Sequence, residues 1–548
     1  MADAADPSTN SRPNGPSGRF GAPTLGSEPW RPSVNPWIIG VVVALAAFME
    51  VLDTSIANVA LPYMAGSLGA SNDESTWVLT SYLVSNAIVL PISGWIASVL
   101  GRKRFFMGCL VVFTVSSVLC GFAPSLGAII FFRVLQGAGG GGLQPMAQAI
   151  MADTFPPQQR GLAFALYGIT AIIAPTIGPT LGGWITDNYT WRWIFFINLP
   201  VGVLTLFLVY RLVQEPPGLK RVARAGVKID YIGVALLTLG VGALQIMLDK
   251  GQEDNWFGSH FILTLALIAG LALLSLVIFE WFHKDPIIDV RLFKNLNFLG
   301  ANAMMFVLGI MLFSSLVMMP LFLQTLMGYT AESAGLVLSG GGLLLLFLMP
   351  VVGTLASKVQ ARYIIAFGWL SLSLCMYYST RNLDLDISFR AASVLRVVQV
   401  FGLGFLFVPI NLISYVGMAA EKSNSVAGLM NFMRNIGSSI GTSMVTTLLA
   451  RRAQTHQVYM AAHVTAGPSA YTQAAKALAA RLALAGLDAT HATSQAYGRI
   501  YREVILQATT LAYIDTFWIL AVGAGVMFLL SFALRKNAPG GGRVLAAE

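Results

Sequence analysis

The sequence predicts an all-α membrane protein of fourteen spans, arranged as two related six-helix bundles with two extra helices between them. Three observations carry this. Of the 548 residues, 56% are hydrophobic and only 11% charged, well below the charged share of a soluble domain, and the mean hydropathy is +0.70. Apolar runs near the ~20 residues that a bilayer core demands recur from Trp37 to Leu534. Two motifs of the first part of the chain also return in the same order, at nearly the same offset, in the last part. "GWIASVLGRKR" (94–104) is echoed by "GTLASKVQAR" (353–362), and "RVLQGAG" (133–139) by "RVVQVFG" (396–402). Secondary transporters are often built from such repeats, with substrate held between the halves.

Residues 1–36, rich in Pro, Ser, Gly and Asn, read as a disordered tail. No cleavable signal peptide precedes the first span, which is expected to insert and stay. Spans are predicted at 37–61, 77–99, 105–123, 126–151, 162–186 and 193–213, the first bundle (37–213). Two more, 231–249 and 261–282, lie within a linker of residues 214–297. The second bundle (298–534) has spans at 298–324, 334–357, 363–380, 390–416, 426–450 and 514–534, and a short tail (535–548) follows. The basic loops "GRKR" (101–104), "KRVARAGVK" (220–228) and "RKNAPGGGR" (535–543) fall on one side, and the acidic "DKGQEDNW" (249–256) on the other. Basic loops face the cytoplasm, so both termini are expected there. Residues 451–513 form a large loop on the opposite side. Its stretch "SAYTQAAKALAARLALAG" (469–486) has helical composition with some amphipathic spacing, and reads either as a solvated cap or as a docking surface.

The net charge of +9 follows from these loops and calls for no nucleic acid. Cys109, Cys120 and Cys375 lie in apolar runs and read as small core residues. No metal-ligand spacing or nucleophile elbow occurs, so neither an enzyme nor a metal or other cofactor is predicted.

The chemistry is expected where charge enters a span. In "AFMEVLDTSIANVALP" (47–62) the acids Glu50 and Asp53 stand three residues apart. An acid at that depth costs about 2.5–3.5 kcal/mol on insertion scales, so it usually faces a cavity and does work. Asp53 is read as a proton site, against the alternative of a structural acid bonded to a neighbouring helix. Glu50 shares its helix face, and two such carboxylates titrate as a pair. It reads as a second proton site, a cation-recognising acid or a lipid-edge residue. Arg133 needs an acid or a polar cavity beside it. The GxGxxG match from Gly137 to Gly142 lies in a span, without the strand and acidic residue of a dinucleotide site, and is read as close helix packing. Arg396 and Arg434 are each either structural or part of a substrate path. Asp187, Asp249 and Asp515 fall at span ends and read as interfacial.

Four stretches resemble the major facilitator superfamily, specifically its fourteen-helix drug:proton antiporters of the EmrB type. They are "LDTSIANVALP" (52–62), "FFRVLQGAGGGGLQP" (131–145), "YGITAIIAPTIGPTLGGWITD" (167–187) and "GWIASVLGRKR" (94–104), with "WRWIFFINLPVG" (191–202) as a further block. The resemblance implies proton coupling through Asp53 and Arg133; Glu50 departs from the family pattern, where a neutral polar residue is common, and joins them as a proton-coupling candidate through its spacing from Asp53. The resemblance makes Asn58, Gln136, Pro175, Gly178, Pro179 and Gly182 substrate or gating positions, to which Arg396 and Arg434 are added as candidates because each is a charge within a span. Gly94, Gly101, Arg102 and Lys103 match the family's cytoplasmic loop motif, but Ser98 stands where its Asp is usual, which puts the loop's charge latch in doubt. The fifth-span signature is one that symporters of this fold generally lack. The expected function is proton-coupled export of hydrophobic or cationic drugs and toxic amphiphiles across a bacterial inner membrane. An EmrA-like periplasmic fusion protein and a TolC-like outer-membrane channel are the implied partners. A single-component antiporter, or a symporter of the same fold, is the alternative.

Overall fold

The computed structural model describes residues 32–156, 158–215, 230–283, 286–419, 422–463 and 470–535. Most of the N-terminal tail, the basic segment 220–228 and nearly all of the C-terminal tail lie outside the described residues. Fourteen helical passes are present among those described. The first bundle holds α1 (Pro36–Leu68), α2 (Trp77–Leu100), α3 (Arg102–Gly121), α4 (Leu126–Thr154), α5 (Arg160–Asn188) and α6 (Trp193–Leu212). The linker forms α7 (Tyr231–Lys250) and α8 (His260–Phe282). The second bundle holds α9 (Leu296–Thr325), α10 (Ala331–Lys358), α11 (Ala361–Asn382), α12 (Phe389–Ser414), α13 (Ser423–His463) and α14 (Ala489–Leu530).

Twelve passes are long and apolar enough to cross a membrane on composition alone; α11 and α13 are the two that are not. The reason for α13 is physical. Its polar residues Asn424, Asn431, Arg434 and Ser438 are buried within the protein rather than exposed to lipid, and the last three donate to Gln148, Gln144 and the Arg434 carbonyl, which offsets their cost. Helix α4 is interrupted at Gly141–Gly142. Its glycines press against α2 and α3: a Cβ at Gly137 would lie 2.4 Å from the Tyr82 carbonyl oxygen, and one at Gly139 2.6 Å from the Phe113 nitrogen. This is the close packing that the run predicts.

Within the bundles α1 packs on α5 and, in the corresponding place, α9 on α13. Between bundles α5 meets α10 and α2 meets α13, so the two interfaces are related by the same approximate two-fold as the sequence repeats. The residues of the loop motif mark one end of the molecule, termed here the basic end. There the halves touch backbone to backbone. A Cβ at Gly94 would fall 2.9 Å from the Ser425 Cα, and one at Gly161 2.3 Å from the Gly353 carbonyl oxygen. Gly94 and Gly353 are the matched glycines of the repeat. Both described chain ends also lie at this end: Ser33 N–H donates to Gln214 (3.2 Å) and Arg535 N–H to Asn297 (2.9 Å).

The segment 451–513 is not a loop in its described part. Helix α13 runs on without a break to His463, and α14 begins at Ala489, well before the span predicted to start at 514. At 1.5 Å per residue the 42-residue α14 is about 60 Å long, roughly twice a bilayer core. A helix at Ala470–Leu484 packs on α14 through Leu482, Ala492 and Ala496. The polar composition taken for a loop belongs to helices beyond the apolar depth.

Candidate functional site: two acids on one helix and a cavity between the bundles

Asp53 is 3% exposed and sits inside the first bundle. Arg133 Nη1 of α4 donates to Asp53 Oδ2 at 2.6 Å. Gln136 Nε2 and Asn198 Nδ2 donate to Oδ1 at 2.9 and 2.7 Å. Arg133, fully buried, also bonds the Val78 carbonyl (3.1 Å) and Gln136 Oε1 (2.8 Å). A buried ion pair of this kind is sustained by such additional hydrogen bonds. Its i, i+3 spacing puts Gln136 beside Arg133, so it serves the Asp53 pair rather than a substrate surface.

Glu50, one turn earlier and equally buried, faces elsewhere. Tyr82 Oη and Asn86 Nδ2 donate to its Oε1 at 3.0 Å each, and Gln144 Nε2 to its Oε2. Tyr82 joins the two acids: its ring lies 4.3 Å under the Arg133 guanidinium while its hydroxyl holds Glu50. Gln144 joins the halves, accepting from Arg434 of α13 and from Tyr167 Oη (2.8 Å). A continuous path therefore runs Asp53–Arg133–Tyr82–Glu50–Gln144–Arg434 from one bundle to the other.

Glu50, Tyr82, Asn86, Gln144 and Arg434 line a cavity of about 340 Å³ between the bundles, within the range of small-molecule sites, and Asp249 and Glu253 stand on its wall at the opposite, acidic end. Asp53 is not among its lining residues. The cavity is closed toward the basic end, where Gly94 meets Ser425 and Gly161 meets Gly353, and its lining extends toward the acidic one.

The remaining candidate positions divide. Pro179 has no N–H, which frees the Pro175 carbonyl four residues back, and Ser55 Oγ of α1 donates to it at 3.2 Å. A Cβ at Gly178 would lie 2.3 Å from that Oγ, and one at Gly182 3.1 Å from Ile56, so the fifth-span signature brings α5 against α1. Asn58 is exposed on α1 and lines no part of the cavity. Arg396, 2% exposed, bonds the Ser315 carbonyl at 3.2 Å and Gln399 at 3.5 Å and lies away from the cavity lining. At the basic end Ser98 donates to its own helix (Trp95 carbonyl, 2.7 Å). The charge contact runs instead from Arg102 to Asp153 of α4, which accepts from Ser423 Oγ of α13 at 3.4 Å. Lys103 is fixed to the end of α6, its N–H on Glu215 (3.0 Å) and its Nζ on the Tyr210 carbonyl (2.7 Å). Gly101 adopts φ +89°, and a Cβ there would lie 2.7 Å from Glu215 Oε1.

Gln144, Asn86, Tyr82 and Asn198 escape the sequence reading. The available signal was weak: uncharged polar side chains in apolar runs, which seek partners across helices. Asp249, read as interfacial, is a wall residue of the cavity.

The model of the Major Facilitator Superfamily matches residues 43–442. The chain is 36% identical over 493 residues to the multidrug export protein EmrB of Escherichia coli K12, covering 90% of this chain and 93% of that one. It is 38% identical over 442 residues to the fatty acid resistance protein FarB of Neisseria gonorrhoeae, covering 80% and 85%. Among solved structures, the proton:xylose symporter XylE superposes with a TM-score of 0.57 at 14% identity, over 91% of this chain and 96% of that one, a likeness of fold. Family, fold and multi-pass architecture agree, and the chain belongs to the Major Facilitator Superfamily, in its EmrB-like branch of transporters rather than among enzymes.

Proposed function

We propose that the protein is a proton-driven exporter of hydrophobic or cationic drugs and toxic amphiphiles. The observation that carries this reading is the side-chain path from the buried Asp53–Arg133 pair to the cavity acid Glu50. A proton arriving at Asp53 neutralises the carboxylate and leaves Arg133 without its counter-charge, a costly state for a buried guanidinium. Arg133 then shifts toward the ring of Tyr82, whose hydroxyl holds Glu50. In this way protonation at Asp53 alters the acid that a cationic substrate meets. A bound cation competes with Gln144 for the Glu50 carboxylate, and a displaced Gln144 gives up its contact with Arg434, so substrate also loosens the contact between halves. Loss of the proton on the other side restores the ion pair and resets the cavity.

Orientation follows the loop charges: the basic end is placed in the cytoplasm of a bacterial inner membrane, with both termini on that side. The cavity, which reaches the acidic end, is then the outward-facing release site. The names of the EmrB-like relatives support drugs as cargo.

Glu50→Gln is expected to weaken binding of ethidium to the purified protein roughly tenfold or more, the worth of a charge-assisted contact of about 1.5–3 kcal/mol. Fluorescence anisotropy titration measures it. Unchanged affinity removes Glu50 from the recognition step.

The protruding ends of α13 and α14 and the helix Ala470–Leu484 between them, with Tyr459, Leu484 and Tyr501 exposed on this extension, are proposed as the dock for an EmrA-like periplasmic protein leading to a TolC-like channel. Replacing residues 464–488 by a short Gly/Ser linker is expected to abolish drug resistance in cells while leaving proton-driven transport in liposomes intact. Loss of both counts against docking.

A further inference from the structure

The two helices added between the bundles are not equivalent. Helix α8 turns Leu267, Leu271, Leu274 and Ile278 outward, Leu271 being 66% exposed. Helix α7 instead buries Leu237, Val241 and Gln245 and packs against both α2 and α13. Polar contacts fix it to each half. Toward the first bundle, Thr80 Oγ1 of α2 donates to Asp249, and Lys250 Nζ donates to Thr76 and lies 5.6 Å from the Trp77 ring centroid. Toward the second, Gln245 Nε2 donates to Ser439 Oγ of α13 at 2.9 Å, and Trp256, in the turn after α7, donates to Thr447 at 3.0 Å. Gln245, Leu248 and Asp249 line the same cavity as Glu50 and Arg434.

We propose that α7 is a wall of the drug cavity, and that Gln245 and Leu248 touch cargo and set which sizes and shapes are accepted. This rests on the export reading above and deepens it. A glutamine in an apolar helix is a burden in lipid, so its placement on the cavity surface, shared with a serine of the opposite half, fits contact with a polar part of the cargo. Leu248 supplies the apolar side. Selection by a wall of this kind is steric: an enlarged side chain excludes the bulkier of two cargoes by clash, a repulsive element, while leaving the smaller one. Asp249 and Glu253 lie on the acidic side of that wall, in the direction along which a cation would leave.

The test compares ethidium with the larger rhodamine 6G on the purified full chain, by anisotropy, for wild type, Leu248→Trp, Gln245→Ala and the outward-facing Leu271→Trp. The expected result is at least a tenfold loss of rhodamine 6G affinity in Leu248→Trp with ethidium changed less than threefold. Gln245→Ala should shift the ratio of the two affinities, and Leu271→Trp should leave both alone. In a Gln245→Cys variant, rhodamine 6G should slow maleimide labelling at least fivefold. An unchanged affinity ratio in both α7 variants, or labelling indifferent to dye, overturns the proposal. A Leu248→Trp protein that fails to fold leaves Gln245→Ala and the labelling to decide. If wild type binds neither dye, the export reading itself fails, and the α7 proposal with it.

Discussion

Asp53→Asn is expected to abolish the proton release that substrate triggers in the detergent-solubilised protein. Wild type should acidify a weakly buffered solution on addition of drug, and the variant should give no signal above that of a drug-free control. Asn is the same shape and keeps an oxygen for Gln136 and Asn198, which donate to Asp53 at 2.9 and 2.7 Å. What it removes is the charge opposite Arg133. Breaking a buried pair in this way costs about 3–5 kcal/mol, because the remaining charge is uncompensated, so the single variant should also melt at lower temperature. The double variant Asp53→Asn with Arg133→Gln separates the two effects. Neutral on both sides, it should recover thermal stability and still release no proton. Full substrate-linked release from Asp53→Asn would remove Asp53 from the coupling step, whatever the stability.

Gly161→Val is expected to hold the basic end open. In the closed contact a Cβ at Gly161 would lie 2.3 Å from the Gly353 carbonyl oxygen, and one at Gly353 2.8 Å from the Gly161 carbonyl oxygen. Neither neighbour is a flexible side chain, so relief demands separation of α5 from α10. Overpacking of this sort costs roughly 1–3 kcal/mol, and the whole cost falls on the closed state, a shift of about 5–150-fold in the opening equilibrium. Asn424, 3% exposed where α13 meets α2, serves as the reporter. As Asn424→Cys it should be labelled by an impermeant maleimide from the basic side several times faster in the Gly161→Val background, and drug transport in liposomes should fall correspondingly. Equal labelling rates would show that the contact between Gly161 and Gly353 does not hold the closed state.

Much of the fold was legible because membrane insertion is governed by local properties. Apolar length fixes where a span can lie, so fourteen passes were readable even for α13, whose polar face would have hidden it from a composition threshold. The repeat of Gly94 at Gly353 was readable because two backbones in contact tolerate no side chain on either side of the two-fold. Asp53 and Arg133 stood out because charge at membrane depth is rare and must be paired. The connection 451–513 has helical composition at 469–486, and in its described part it consists of the ends of α13 and α14 with a helix at Ala470–Leu484 between them; its polar residues do not tell how far the two spans run on beyond the bilayer.

What was not legible concerns which faces meet. Glu50 and Asp53 are one turn apart and look like equivalent acids, yet one is locked beside Arg133 and the other borders the cavity. The difference arises from residues about 30 to 145 positions away: Tyr82, Asn86, Gln144 and Asn198. None carries charge, so none announces itself by an insertion cost. The same holds for Gln245, whose partner Ser439 lies in the other half. The chain alone therefore specified the membrane class, the passes, the duplication and the charged residues that need partners, since each follows from the cost of burying a local group in hydrocarbon. The division of labour between the two acids, the rebuilt charge contact from Arg102 to Asp153 and the position of α7 on the cavity depended on helix packing, because hydrogen bonds and ion pairs are made by whichever side chains the bundles bring within three ångströms of each other.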